Sequence, residues 1–166
     1  VDVTSLTSLK AGGKPALAAI LAKLETDPDD DALVALLAEG FLAPVGQVIG
    51  LTGPPGVGKS TLAGALINAI RAKGKSIGVI AVDPSSRRSG GALLGDRTRL
   101  RADPDDQGVF IRSMAARDQL GGLAELTYGA MVLMRTLYDI VLVETVGVGQ
   151  SETDISMAAD TVVVCV

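Results

Sequence analysis

The apolar positions of this chain change period once. Up to about residue 44 they recur at intervals of three and four, as Leu17, Ile20, Leu21 and Leu24 and then Leu33, Leu36 and Leu37. Those stripes predict helices over 16–25 and 31–39, each with one buried face. Pro15 suits a first helical turn, Asp27 with Pro28 repeats that start signal before the second helix, and Gly40 supplies a stop. Packing against the rest of the chain is the expected use of these faces, ahead of a partner-binding arm.

From residue 47 the pattern becomes short runs rich in β-branched residues, at 48–51, 77–82, 109–111, 140–143 and 162–166. They lack strict polar alternation, so both faces of each strand are expected to be covered. Helical stretches near 59–73, 95–101 and 122–137 separate them, the arrangement that makes right-handed crossovers and a parallel sheet. The expected fold class is α/β, a doubly wound and mostly parallel sheet, with a helical extension over 1–45 and the main domain over 46–166. The chain closes on a bare apolar strand, so the domain is expected to be incomplete at that end.

Composition narrows the chemistry. Nineteen acidic against 15 basic side chains give a net charge of −4, which argues against a general nucleic-acid or membrane-surface binder and makes any anion site a local one. No apolar run reaches the ~18 residues of a membrane span. The one cysteine, Cys165, lies in an apolar run and fits a buried thiol in a reducing cytoplasm. Histidine is absent, which removes the usual general base and metal ligand. Carboxylates, lysine, hydroxyls, backbone and metal remain, an inventory suited to phosphoryl transfer.

The sharpest motif is Gly53-Pro54-Pro55-Gly56-Val57-Gly58-Lys59-Ser60-Thr61. It fits GxxxxGK(S/T), follows an apolar strand and opens a helix, the context that a phosphate-cradling loop requires. Glycines at 53, 56 and 58 permit backbone angles that turn successive amides inward around an anion, and the helix start adds its unpaired N–H groups. Lys59 is expected to reach the β and γ phosphates, Ser60 to offer its hydroxyl to Mg2+, and Thr61 to lie at the α phosphate. The motif defines a P-loop.

Two acids follow strands in the places such a site needs them. Asp83, after the run 77–82, is read either as a magnesium-proximal carboxylate or as a turn cap with Pro84 and Ser85. Glu144, after 140–143, precedes Thr145-Val146-Gly147-Val148-Gly149-Gln150. There Gly147 could present its amide to a γ phosphate and the glycines would let the segment move. Between them, Asp96 could help hold the metal or orient water. Arg87, Arg88, Arg97, Arg99 and Arg101 are read as solvated or salt-bridged more readily than as phosphate ligands.

Together the loop 53–61, the run Val82-Asp83-Pro84-Ser85-Ser86 continuing to Gly90-Gly91 and Leu94-Gly95-Asp96-Arg97-Thr98-Arg99, and Val143-Glu144-Thr145-Val146-Gly147-Val148-Gly149-Gln150-Ser151-Glu152 closely resemble the MeaB/ArgK family. The likeness implies a P-loop G domain of the SIMIBI type that binds GTP and GDP with Mg2+ and hydrolyses the γ phosphate. It also implies a chaperone role toward an adenosylcobalamin-dependent acyl-CoA mutase such as methylmalonyl-CoA mutase, and a homodimer in the full-length protein. It would make Lys59, Asp96, Glu144 and Gln150 the catalytic set and Ser60, Asp83, Asp96 and Glu144 the metal set, with 147–150 a switch. Two alternatives stay open: a kinase linked to amino-acid transport, an older label for relatives, and a non-hydrolysing, nucleotide-dependent interaction module.

Overall fold

A computed structural model of the protein describes residues 3–83, 100, 103, 105–115, 125–145 and 150–166, apart from the side chains of 83, 115 and 150–152. The elements in chain order are α1 (Leu6–Thr26), α2 (Asp31–Leu42), β1 (Gln47–Thr52), α3 (Lys59–Ala72), β2 (Ile77–Asp83), β3 (Val109–Ala115), α4 (Glu125–Met134), β4 (Ile140–Glu144), α5 (Gln150–Ala158) and β5 (Thr161–Val164). The strands form one sheet in the order β3-β2-β4-β1-β5, and every pairing is parallel. The α/β, parallel-sheet expectation is therefore met.

The apolar runs fill the sheet on both faces. Against one face lie α1, α2, α4 and α5, whose Leu17, Leu21, Leu33, Met131, Leu133 and Ile155 pack with Val48, Ile80, Val141 and Val143 of the strands. Against the other lies α3, where Ala63 and Ile67 pack with Leu51, Val79 and Leu142. The N-terminal helices thus contribute to the same core as the strands. Gly78 of β2 lets the end of α4 come close, because a Cβ there would collide with Met134 and crowd the Tyr138 ring.

Several boundaries differ from those the sequence predicts. The first helix starts at Leu6, earlier than expected, because Ser5 and Ser8 form a reciprocal cap. It kinks at Gly13, which adopts φ 55° and ψ −144°, so that Pro15 does begin a helical segment, the second half of α1. Gly40 does not stop α2: it lies inside the helix, buried where α2 meets Val132 and Thr136. The cap of α2 is Asp30, whose side chain accepts from the Leu33 N–H at 2.9 Å, rather than Asp27. The expected helix at 95–101 falls outside the described residues except for buried Leu100.

At the edge of the sheet a polar cluster ties the two faces together. Arg71 near the end of α3 grips Asp106 with two 2.7 Å hydrogen bonds. The Asp106 carbonyl accepts from Lys14 Nζ of α1. The guanidinium of Arg71 and the N–H of Gly108 hold the Asp106 carboxyl below its ordinary value of 3.8. A second pair, Arg112 of β3 with Glu25 of α1 at 2.8 Å, lies on the helix-rich face.

Candidate nucleotide-binding site

β1 ends at Thr52 in the interior of the sheet, and the chain must then turn sharply to start α3 at Lys59. Three glycines make that turn, with φ of 137° at Gly53, 85° at Gly56 and 94° at Gly58, values that side chains disfavour. Gly53 has a second reason to be glycine, since a Cβ would strike the carbonyl of Cys165 after β5. Pro54, Pro55 and Val57 are exposed on the outside of the loop. Gly58 is the N-cap of α3 and supplies no side-chain cap. The first amides of the helix therefore keep their donors and the positive end of the helix dipole for an anion.

Lys59 is folded back into this loop. It is 6% exposed, and its Nζ donates to the carbonyl of Gly53 at 2.7 Å and to that of Pro54 at 2.8 Å. An ammonium has three donors, so two bonds hold the charge in place and one direction remains for a phosphate oxygen. Ser60, half-buried on the first turn, donates its hydroxyl to Glu144 Oε1 at 2.9 Å. Thr61 is exposed beside them.

The sheet register explains why Glu144 is within reach. Leu51 of β1 and Ala81 of β2 both align with Glu144 of the central strand β4. Asp83, the last residue of β2, lies two positions past that row, about 7 Å further along the strand direction. The carboxyl ends of β1, β2 and β4 thus bring Lys59, Ser60, Glu144 and the backbone of Asp83 to one edge, where open parallel sheets bind ligands. Gln150 is the first residue of α5, so the switch expected at 147–150 ends in a helix the sequence pattern did not announce. Asp96, Gly147 and the arginines at 87, 88, 97, 99 and 101 lie outside the described residues.

Ser60 and Glu144 present hard oxygen donors one hydrogen bond apart, the donor type that magnesium takes. Among the described residues no group of three or more His, Cys, Asp and Glu side chains forms a self-sufficient cage. Also among the described residues, no helix is long and apolar enough to cross a membrane.

Comparison with known proteins agrees with this geometry. The family model described as "Methylmalonyl Co-A mutase-associated GTPase MeaB" matches residues 21–166. A Pyrococcus horikoshii protein that carries a GTPase name is 48% identical over 156 residues, covering 93% of this chain and 49% of its own length. The GTPase ArgK of Escherichia coli is 38% identical over 160 residues, covering 94% of this chain and 48% of its own length. Among solved structures, a LAO/AO transport system kinase superposes with a TM-score of 0.72 at 27% identity, covering 96% of this chain and 48% of that one. The chain spans about half the length of these relatives. With its phosphate loop, its parallel sheet and a match along most of its length, the chain belongs to the MeaB family of methylmalonyl-CoA mutase-associated GTPases.

Proposed function

We propose that this chain carries the phosphate-binding part of a GTPase that binds GTP or GDP with Mg2+ and hydrolyses the γ phosphate. The observation that carries the reading is Lys59, buried and held by the Gly53 and Pro54 carbonyls at the uncapped start of α3. In this reading the loop 53–61 cradles the phosphates with its amides, Lys59 bears on the β and γ phosphates, and Thr61 lies at the α phosphate. Ser60 and Glu144, with Asp83 and Asp96, are the groups that would hold magnesium, whose charge would offset that developing on the phosphates. In the same reading Gly147 would offer its amide to the γ phosphate, and Gln150 and Asp96 would orient the attacking water.

For the full-length protein we further propose a cytoplasmic homodimer that serves an adenosylcobalamin-dependent acyl-CoA mutase of the methylmalonyl-CoA mutase type; of this, the family description supports the association with methylmalonyl-CoA mutase. A relative from Mus musculus named "Methylmalonic aciduria type A homolog, mitochondrial", 45% identical over 113 residues, points to the same metabolism.

Phosphate release from GTP and from ATP by the full-length protein tests the reading, with Lys59→Ala as the control. GTP should be hydrolysed and the variant should lose both tight binding and turnover. Equal activity in the variant, or turnover of ATP alone, overturns it.

A further inference from the structure

Two buried hydroxyls lie at the strand exits that carry the phosphate loop and Glu144. Thr52 is the last residue of β1 and Thr145 directly follows β4. Each is 1% exposed, and neither Oγ1 has a hydrogen-bond partner among the described residues. They are neighbours, because the register aligns Leu51 with Glu144 and the Thr145 N–H extends the ladder by donating to the Leu51 carbonyl at 2.9 Å.

The two side chains share a face. Gly50 of β1 approaches Ile155 of α5, and Val143 of β4 packs in the core formed with α1, α2 and α4. Side chains alternate along a strand, so Thr52 and Thr145, two positions further on, project to that same face. Glu144 projects the other way, to Ser60 of α3. The main chain at these exits is already engaged, the Thr52 carbonyl accepting from the Cys165 N–H at 2.8 Å.

A buried hydroxyl without a partner destabilises a fold, and valine would fill the same space without that cost. Two such hydroxyls at adjacent register positions call for a shared partner. Neighbouring strands are ~4.8 Å apart, a spacing at which one water can bond to both.

We propose that Thr52 and Thr145 are positioning residues that hold one buried water between them. The bridge fixes the exit of β1, and with it the carbonyls that grip Lys59, against the exit of β4, and with it Glu144. Neither threonine touches the nucleotide; each acts through the backbone it continues. The inference rests on the GTPase reading above.

The test uses Thr52→Val, Thr145→Val and the two serine variants in the full-length protein. The valine variants should keep or raise the melting temperature and hold GTP affinity within about twofold, while kcat falls ~tenfold or more through misplacement of the reacting groups. The serine variants, which keep the hydroxyl, should recover most of the lost kcat. A high-resolution crystal structure should show a water within hydrogen-bond reach of both Oγ1 atoms. Valine variants with wild-type kcat overturn the proposal, as does a dry pair of hydroxyls. If the wild-type protein releases no phosphate from GTP, the GTPase reading falls, and the crystallographic water then decides the inference by itself.

Discussion

Ser60 Oγ donates to Glu144 Oε1 at 2.9 Å, across the gap between the first turn of α3 and the last residue of β4. This bond links the phosphate loop to the central strand, and it joins the two side chains proposed to hold magnesium. Ser60→Ala should therefore weaken GTP binding in magnesium by roughly ten- to a hundredfold, the worth of a hydrogen bond to a charged group. Calorimetry with and without EDTA checks it: the wild type should respond strongly to chelation and the variant weakly. An unchanged metal response in the variant sinks the assignment.

Gly53→Ala should unfold the loop locally even though alanine is small. The φ of 137° is strained for any side chain, costing about 1–3 kcal/mol, and the new methyl group would meet the Cys165 carbonyl. A lower melting temperature together with lost nucleotide binding is expected. Gly56→Ala, where nothing lies within 4 Å of the added Cβ, should show only the conformational part of that penalty.

Leu21→Ala should destabilise the whole molecule, because α1 shares one core with the strands. Leu21 is fully buried in the cluster that also holds Val141 and Met134, and such truncations cost about 2–5 kcal/mol. Denaturant unfolding should shift as a single transition. A separate early transition for the helices, leaving the sheet unaffected, contradicts it.

The sequence shows some of these features more clearly than others. The loop 53–61 is legible because its residue types are demanded one by one by the backbone, and 77–82 and 140–143 match their strands within one residue. β3 runs four residues past the expected 111, since Arg112 interrupts the apolar run and only the fold reveals its Glu25 partner. Gly40 reads as a stop from sequence because close helix packing and helix termination use the same residue. α5 escapes notice for a different reason: Ile155 is its only buried side chain among those described, which is too few to set a period.

Asp106 should make stability depend on acid pH. Its folded carboxyl lies below 3.8, held there first by the Arg71 hydrogen bonds and then by the Gly108 N–H. The stabilisation is complete above the unfolded value and is lost as pH falls from about 3.8 through the lower folded value. Asp106→Asn should melt lower than the wild type at neutral pH, with the gap closing as the solution is acidified. Melting curves between pH 2 and 7 test this, and a constant gap across that range refutes it.

The strand order also governs when the binding site can come into being. Gln47 aligns with Ile140 and Ile49 with Thr161, so the strand that launches the phosphate loop has no sheet neighbours until much later sequence has been made. On the ribosome, the loop would emerge long before the scaffold that shapes it. α1 and α2, adjacent in sequence and in contact in the fold, can associate early, as can the paired strands β2 and β3. Nucleotide capture would thus wait until the central strand has inserted between its neighbours.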